Sequence, residues 1–173
     1  MSHITRTLLL VSLCWLTLAC SRPAATNSNA TANEPPQIAS VDVVEATPAT
    51  TTLTRGESTD ALVPIKITHG YHVNANPPSY PYLKPLELQV QPATGVSVEF
   101  ITYPDPLTKK FAFAEKPLAV YEGDTTVKIR LKADKSATPG QHNLSAKLRV
   151  QACDDKVCYA PGEENLIVPV NVK

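Results

Sequence analysis

From Ile38 onward, apolar residues recur at every second position and not with the 3.6-residue period of a helix. Val63, Ile65 and Ile67 alternate with polar neighbours, as do Leu86, Leu88 and Val90, then Val96, Val98 and Phe100. Further series are Val127, Ile129, Leu131; Leu144, Ala146, Leu148, Val150, Ala152; and Leu166, Val168, Val170, Val172. Pro, Gly, Asn or Asp bounds each run, which is the usual punctuation of strands. Val41 to Ala46 and Leu118 to Tyr121 predict two further strands. No Pro-free window of helical length carries apolar positions at i, i+3, i+4 and i+7. About seven to nine short strands in one chain predict an all-β fold, an immunoglobulin-like antiparallel β-sandwich.

The pattern fails at the N-terminus, and there it reads as an address. Arg6 precedes an apolar run, Leu8 to Leu18, broken only by Ser12 and Thr17. That run is shorter than the ~20 apolar residues of a membrane-spanning helix and suits a signal peptide, residues 1–19. It ends in Leu16-Thr17-Leu18-Ala19-Cys20, which resembles a bacterial lipobox, so Cys20 is the expected lipidation site. Ser21 after that Cys resembles the sorting pattern for the outer membrane in preference to the inner. Residues 21–37 contain no aromatic or β-branched aliphatic side chain. Nothing there offsets the entropy of ordering, which predicts a flexible tether over 20–37 and a folded domain over 38–173.

Composition adds mainly exclusions. Lys+Arg and Asp+Glu each number 16, and Arg6 is the one charged residue of these types within 1–19. A near-zero charge gives no electrostatic reason to expect nucleic acid as a partner. The stretch Asn76 to Pro85 contains four prolines and cannot pair as a central strand; it predicts an extended surface connection. No Gly-x-Ser-x-Gly, His-Glu-x-x-His or phosphate loop is present.

The cysteines change the picture. Cys14 falls in the signal peptide and Cys20 in the lipobox, leaving Cys153 and Cys158 as free chemistry in an exported, oxidising compartment. Ala152 ends an inward-facing series, so Cys153 turns to the other face or begins a turn. With Asp154-Asp155-Lys156 between them, the two cysteines can approach the ~5.5 Å Cα separation of a disulfide. A six-residue ring restrains the unfolded chain by only about 2 kcal/mol. The spacing therefore leaves two uses open, a bond that opens and closes and a local staple. A third reading takes Cys153, Cys158, His69, His72 and His142 as soft ligands for Cu(I), although the one Met is the initiator.

Over most of residues 55–173 the chain resembles the N-terminal periplasmic domain of the DsbD thiol:disulfide interchange proteins. Gly70-Tyr71-His72-Val73-Asn74, Tyr103-Pro104 and Val120-Tyr121-Glu122-Gly123 carry the likeness. The most specific segment is Gln151-Ala152-Cys153-Asp154, then Cys158-Tyr159-Ala160-Pro161. The resemblance implies an immunoglobulin-like sandwich whose Cys pair takes electrons from a membrane-embedded domain and passes them to periplasmic oxidoreductases. It makes Cys153 and Cys158 the redox pair of a thiol:disulfide oxidoreductase that uses no cofactor. Cys158 is the partner-linked sulfur and Cys153 the resolving one.

Family members also shield the pair with a short aromatic loop, matched here by Lys109 to Lys116. Phe113 is the expected shield, with Phe111 as alternative; both could equally be core residues on one strand face. Tyr71, His72, Asp154 and Tyr159 are the neighbouring candidates, and a lone His there is expected to be a hydrogen-bonded surface residue, with a proton shuttle as the alternative. Longer family members continue into membrane and thioredoxin-like domains. The implied partners are therefore a thioredoxin-like or DsbD-type membrane electron donor, periplasmic thiol oxidoreductases, and the membrane itself through the lipid.

Overall fold

The computed structural model describes residues 38–173, and the signal peptide, lipobox and tether lie outside the described residues. A 3-10 turn, Ser40–Val43, leads into twelve strands: β1 (Val44–Ala46), β2 (Thr51–Leu53), β3 (Ser58–Ile67), β4 (His72–Asn74), β5 (Glu87–Val90), β6 (Val96–Thr102), β7 (Leu107–Lys109), β8 (Leu118–Tyr121), β9 (Asp124–Ala133), β10 (Gly140–Val150), β11 (Ala152–Cys153) and β12 (Gly162–Val172). They form three four-stranded sheets, ordered β1-β3-β9-β6, β2-β12-β10-β5 and β11-β4-β8-β7. The first two share one core and make the expected sandwich. All pairings are antiparallel except β2 with β12. Nearly the whole domain separates β2 from β12, so no hairpin dictates their relative direction.

The alternation read from the sequence is what fills that core. Val63, Ile65 and Ile67 of β3 and Val127, Ile129 and Leu131 of β9 line the inner side of the first sheet, while Leu144, Leu148 and Val150 join Val168, Val170 and Val172 from the second sheet. β10 and β12 pair without a break from Gly140↔Val172 to Val150↔Gly162, so one register buries both apolar series together.

Three expectations are corrected. Val41 to Ala46 is not one strand, because its first half is the 3-10 turn. In β6 the register shifts between Val98 and Phe100, a bulge at Glu99. The extra residue turns Phe100 outward, 58% exposed, and sets Ile101 opposite Ile129 instead. Residues 76–85 do not simply run along the surface: Leu83 donates its N–H to the Tyr80 carbonyl, 3.1 Å, and its side chain is buried.

The third sheet is built from strands that leave the sandwich at one end. β3 passes to β4 through four residues, β8 to β9 through two, and β10 to β11 through Gln151 alone. Its pairings are Val73↔Tyr121 and Asn74↔Val120 between β4 and β8, and Ala152↔Val73 and Cys153↔His72 between β11 and β4. Side-chain alternation then splits its residues. Val73, Tyr121 and Ala152 belong to the main core, whereas Val120, Leu118, Phe111 and Leu83 form a second, small apolar cluster. His72, Asn74 and Cys153 are also buried. This end sheet is where the candidate chemistry collects.

Candidate functional site

Cys153 and Cys158 are joined by a disulfide. Around it Tyr159 N–H donates to the Ala152 carbonyl and Asp154 N–H to the Val157 carbonyl, both at 2.9 Å. Those two bonds flank the cysteines, so Cys153 and Cys158 face each other at a non-hydrogen-bonded position of a tight antiparallel hairpin. Their Cα atoms are 3.9 Å apart, closer than the spacing expected from sequence. The two sulfurs differ in access: Cys153 is 0% exposed and Cys158 is partly exposed.

The turn is organised by its first carboxylate. Asp154 Oδ1 accepts the N–H groups of Lys156, 2.7 Å, and Val157, 2.8 Å, which is an Asx-type turn. Its Oδ2 accepts the Tyr159 hydroxyl at 2.7 Å. The tyrosine bond first, then the two backbone bonds, hold the Asp154 carboxyl below its usual range. In turn the Tyr159 hydroxyl is pushed up to about 12, chiefly because its proton is shared with Asp154. Asp154 is thus bound into the turn and does not reach out as an isolated charge beside the sulfurs.

The root of the hairpin is held by Ser40, which the sequence did not single out, and by Gln151 of the cysteine motif. Ser40, fully buried, donates its hydroxyl to the Ala160 carbonyl at 2.6 Å and accepts the Ala152 N–H at 3.0 Å. Gln151 accepts the Lys84 N–H, 3.0 Å, and the Asn74 side-chain amide, 3.2 Å, on one oxygen. Its own amide donates to the Tyr159 carbonyl at 3.2 Å. Gln151 therefore ties the hairpin to β4 and to the Pro-rich segment. Its place two residues before Cys153 was the available signal; Ser40 offered none, being 112 residues away from its Ala152 partner. At Gly162, just after the hairpin, an added Cβ would come within 2.9 Å of Val41, so the chain closes tightly on the 3-10 turn.

Two hollows flank this end sheet. One, about 710 Å³, is lined by Cys158, Val157, Gln151, Phe113, Tyr80 and Tyr82, among others. Tyr80 and Tyr82 stack with ring centroids 5.2 Å apart. The other, about 630 Å³, carries several charged residues in its lining and includes Tyr71, His72, Lys109, Glu122 and Asp155. Lys109 and Glu122 form an ion pair at 2.6 Å on its wall.

The aromatic loop joins β7 to β8 and divides its two phenylalanines. Phe111 is 4% exposed and stacks on His72, with centroids 4.1 Å apart. Phe113 is 42% exposed, stacks on Phe111 at 5.3 Å, and shares the larger hollow with Cys158. The Lys110 ammonium clamps the loop by donating to the carbonyls of Ala114 and Glu115. Phe111 therefore belongs to the small apolar cluster, whereas Phe113 lies at the surface beside Cys158.

His72 is not the surface residue expected. It is 1% exposed, lies directly opposite Cys153, and its Nε2 has no hydrogen-bond partner. Burial lowers its pKa below the ordinary value, with Glu122 acting in the other direction. Tyr71 lies beside Tyr159 with centroids 6.1 Å apart. Among the described residues no three His, Cys, Asp or Glu side chains gather as a metal site, so the Cu(I) reading would rest on the two sulfurs alone. Nor is any described helix long and apolar enough to cross a membrane.

The sequence model of the N-terminal domain of thiol:disulfide interchange protein DsbD matches residues 40–169. The chain belongs to the DsbD N-terminal domain family. The fold is also that of the Neisseria meningitidis DsbD N-terminal domain in its reduced form, at TM-score 0.50 and 18% identity over 83% of this chain and 95% of that one. The N-terminal periplasmic domain of ScsB from Proteus mirabilis matches at TM-score 0.50 and 18% identity, over 72% of this chain and 44% of that one. A comparison with curated proteins finds no match. Membership of this family and the Cys153–Cys158 disulfide support thiol–disulfide exchange at the level of the family.

Proposed function

We propose that the domain is a periplasmic electron relay in which Cys153 and Cys158 cycle between dithiol and disulfide. The unequal exposure of the two sulfurs carries this reading. An incoming thiol or disulfide reaches Cys158 from the hollow walled by Tyr80, Tyr82 and Phe113, whereas Cys153 is closed off. Cys158 is then the partner-linked sulfur and Cys153 the resolving one. Phe113 stands over the access side and Phe111 over the buried side, and a docking partner displaces the outer ring first. The implied donor is a thioredoxin-like or DsbD-type membrane protein, and the acceptors are exported thiol oxidoreductases. Acylation of Cys20 would hold the relay at the outer membrane, facing the periplasm, on a tether long enough to let it turn.

The test uses Cys153→Ala and Cys158→Ala variants of the full-length chain in cells. Cys153→Ala should accumulate a mixed disulfide with a periplasmic thioredoxin-fold protein, and Cys158→Ala should not. A disulfide that no thioredoxin-like reductant opens while the domain stays folded would return the pair to a structural role. In the same cells Cys20→Ser should move the protein to the soluble periplasmic fraction, and an unchanged membrane fraction would refute the anchor.

A further inference from the structure

We propose that His72 is the proton acceptor for Cys153 when the pair closes on a partner-linked Cys158, a role that rests on the relay reading above. Three observations meet at this residue. Its backbone partner across β4 and β11 is Cys153 itself. Directly paired residues on neighbouring strands hold their Cβ atoms about 4.5–5.5 Å apart on one face, within reach of an imidazole and a sulfur. Phe111 stacks on the ring and seals that face, while Nε2 is left buried and unpaired.

A buried polar atom without a partner costs free energy, and its retention is explained where another state of the protein uses it. In the closed disulfide Cys153 offers no S–H. In the mixed disulfide it does, on a residue that is 0% exposed in the closed form. Apolar burial raises a thiol's pKa and suppresses the thiolate that must attack. A neutral imidazole supplies the missing acceptor. His72 is kept neutral by burial, against the opposing pull of Glu122, Asp155 and Asp154 and with the help of Lys109.

The step balances as follows. His72 takes the Sγ–H proton of Cys153, and the thiolate attacks Cys158 Sγ. The Cys153–Cys158 bond forms, and the bond from Cys158 to the partner breaks, its electron pair leaving on the partner's sulfur. The two cysteines are oxidised, and the partner's disulfide, opened in the first step, ends as a dithiol. The imidazolium proton returns to water through the hollow that His72 shares with Glu122 and Asp155. In the reverse direction the imidazolium protonates Cys153 as it departs.

The experiment mixes the reduced domain with dithiobis-nitrobenzoate and follows the two releases of coloured thiolate. The first is bimolecular and reports Cys158; the second is independent of reagent concentration and reports closure by Cys153. His72→Phe, which keeps the stack on Phe111, should slow the second release by at least ~10-fold near neutral pH. The gap should narrow only as pH rises past the ordinary thiol value of about 8.5 toward the higher value that burial gives Cys153. The wild type should hold a nearly flat closure rate from about pH 6.5 to 8, whereas unassisted closure rises about tenfold per pH unit below the thiol pKa. An equal rate in the variant, or the same slowing at every pH, would overturn the proposal. If His72→Phe does not fold, a wild-type rate climbing tenfold per unit overturns it alone. A wild type that releases only one equivalent would bring down the relay reading as well.

Discussion

The sandwich and the end sheet obey opposite rules. In the sandwich, every buried position of β9, β10 and β12 is aliphatic, and the outer faces carry ion pairs such as Lys147 and Arg149 with Glu163. In the end sheet, buried positions include His72, Asn74 and Cys153, and two of their polar atoms, His72 Nε2 and Asn74 Oδ1, have no partner. Such atoms are a cost that a purely structural sheet would shed by substituting apolar residues. The contrast teaches where stability and chemistry are housed. Long strands carry the fold, and the short strands they project carry the Cys153–Cys158 disulfide.

The largest effect expected from that division is on the sandwich. Ile65→Asp or Leu148→Asp should destabilise the domain by more than about 3 kcal/mol, since each buries a carboxylate among aliphatic side chains. Replacing both cysteines by alanine should cost only about 2 kcal/mol, the loop-entropy worth of a six-residue ring. Urea unfolding followed by tryptophan-independent far-ultraviolet circular dichroism measures both. A disulfide-free variant as unstable as Leu148→Asp would show that the end sheet, too, supports the fold.

A smaller effect separates the two rings of the loop. Phe111→Ala removes a buried ring from the small apolar cluster and should cost about 2–4 kcal/mol. Phe113→Ala should leave stability within about 1 kcal/mol while speeding reaction of the reduced pair with a small disulfide reagent. Stopped-flow rates beside unfolding midpoints decide it. If Phe113→Ala destabilises strongly without faster exchange, the outer ring belongs to the core and not to the access route.

The same division governs what could be read from sequence. β10 and β12 were legible because eleven residues each, buried on one face, display an unmistakable period of two. Phe100 continued its series on paper, but a bulge is one extra residue and leaves no trace in a hydrophobic count. β4 and β11 have three and two residues, all buried, so they show no alternation. The cysteines and Gln151 stood out through their motif. The pairing of His72 with Cys153 did not, because it depends on how strands 80 residues apart meet. Nor did Ser40, whose partners lie at the far end of the domain.

The smallest effect expected concerns the turn itself and sharpens the contrast through pH. Asp154 has a depressed folded-state pKa, so its contribution to the hairpin is present above the unfolded carboxyl range near 4 and is lost as pH falls through the folded value. Tyr159 is raised to about 12, so its share is complete below the ordinary tyrosine value near 10 and fades as pH climbs toward 12. Between those limits the Asp154–Tyr159 bond is intact and hairpin geometry should not vary with pH. Asp154→Asn keeps an acceptor for the backbone N–H groups but removes the charge. It should lower the unfolding midpoint slightly at pH 7, and the gap to wild type should vanish in acid, where Asp154 is itself protonated. Because the sandwich is untouched, the loss should also vanish when both cysteines are already alanine only if the turn needs the disulfide to form. Midpoints for the single variant, the cysteine-free protein and the combination, each at neutral and acid pH, measure that coupling. A loss at pH 7 that persists undiminished in acid would show that the Asp154 charge plays no part in the turn.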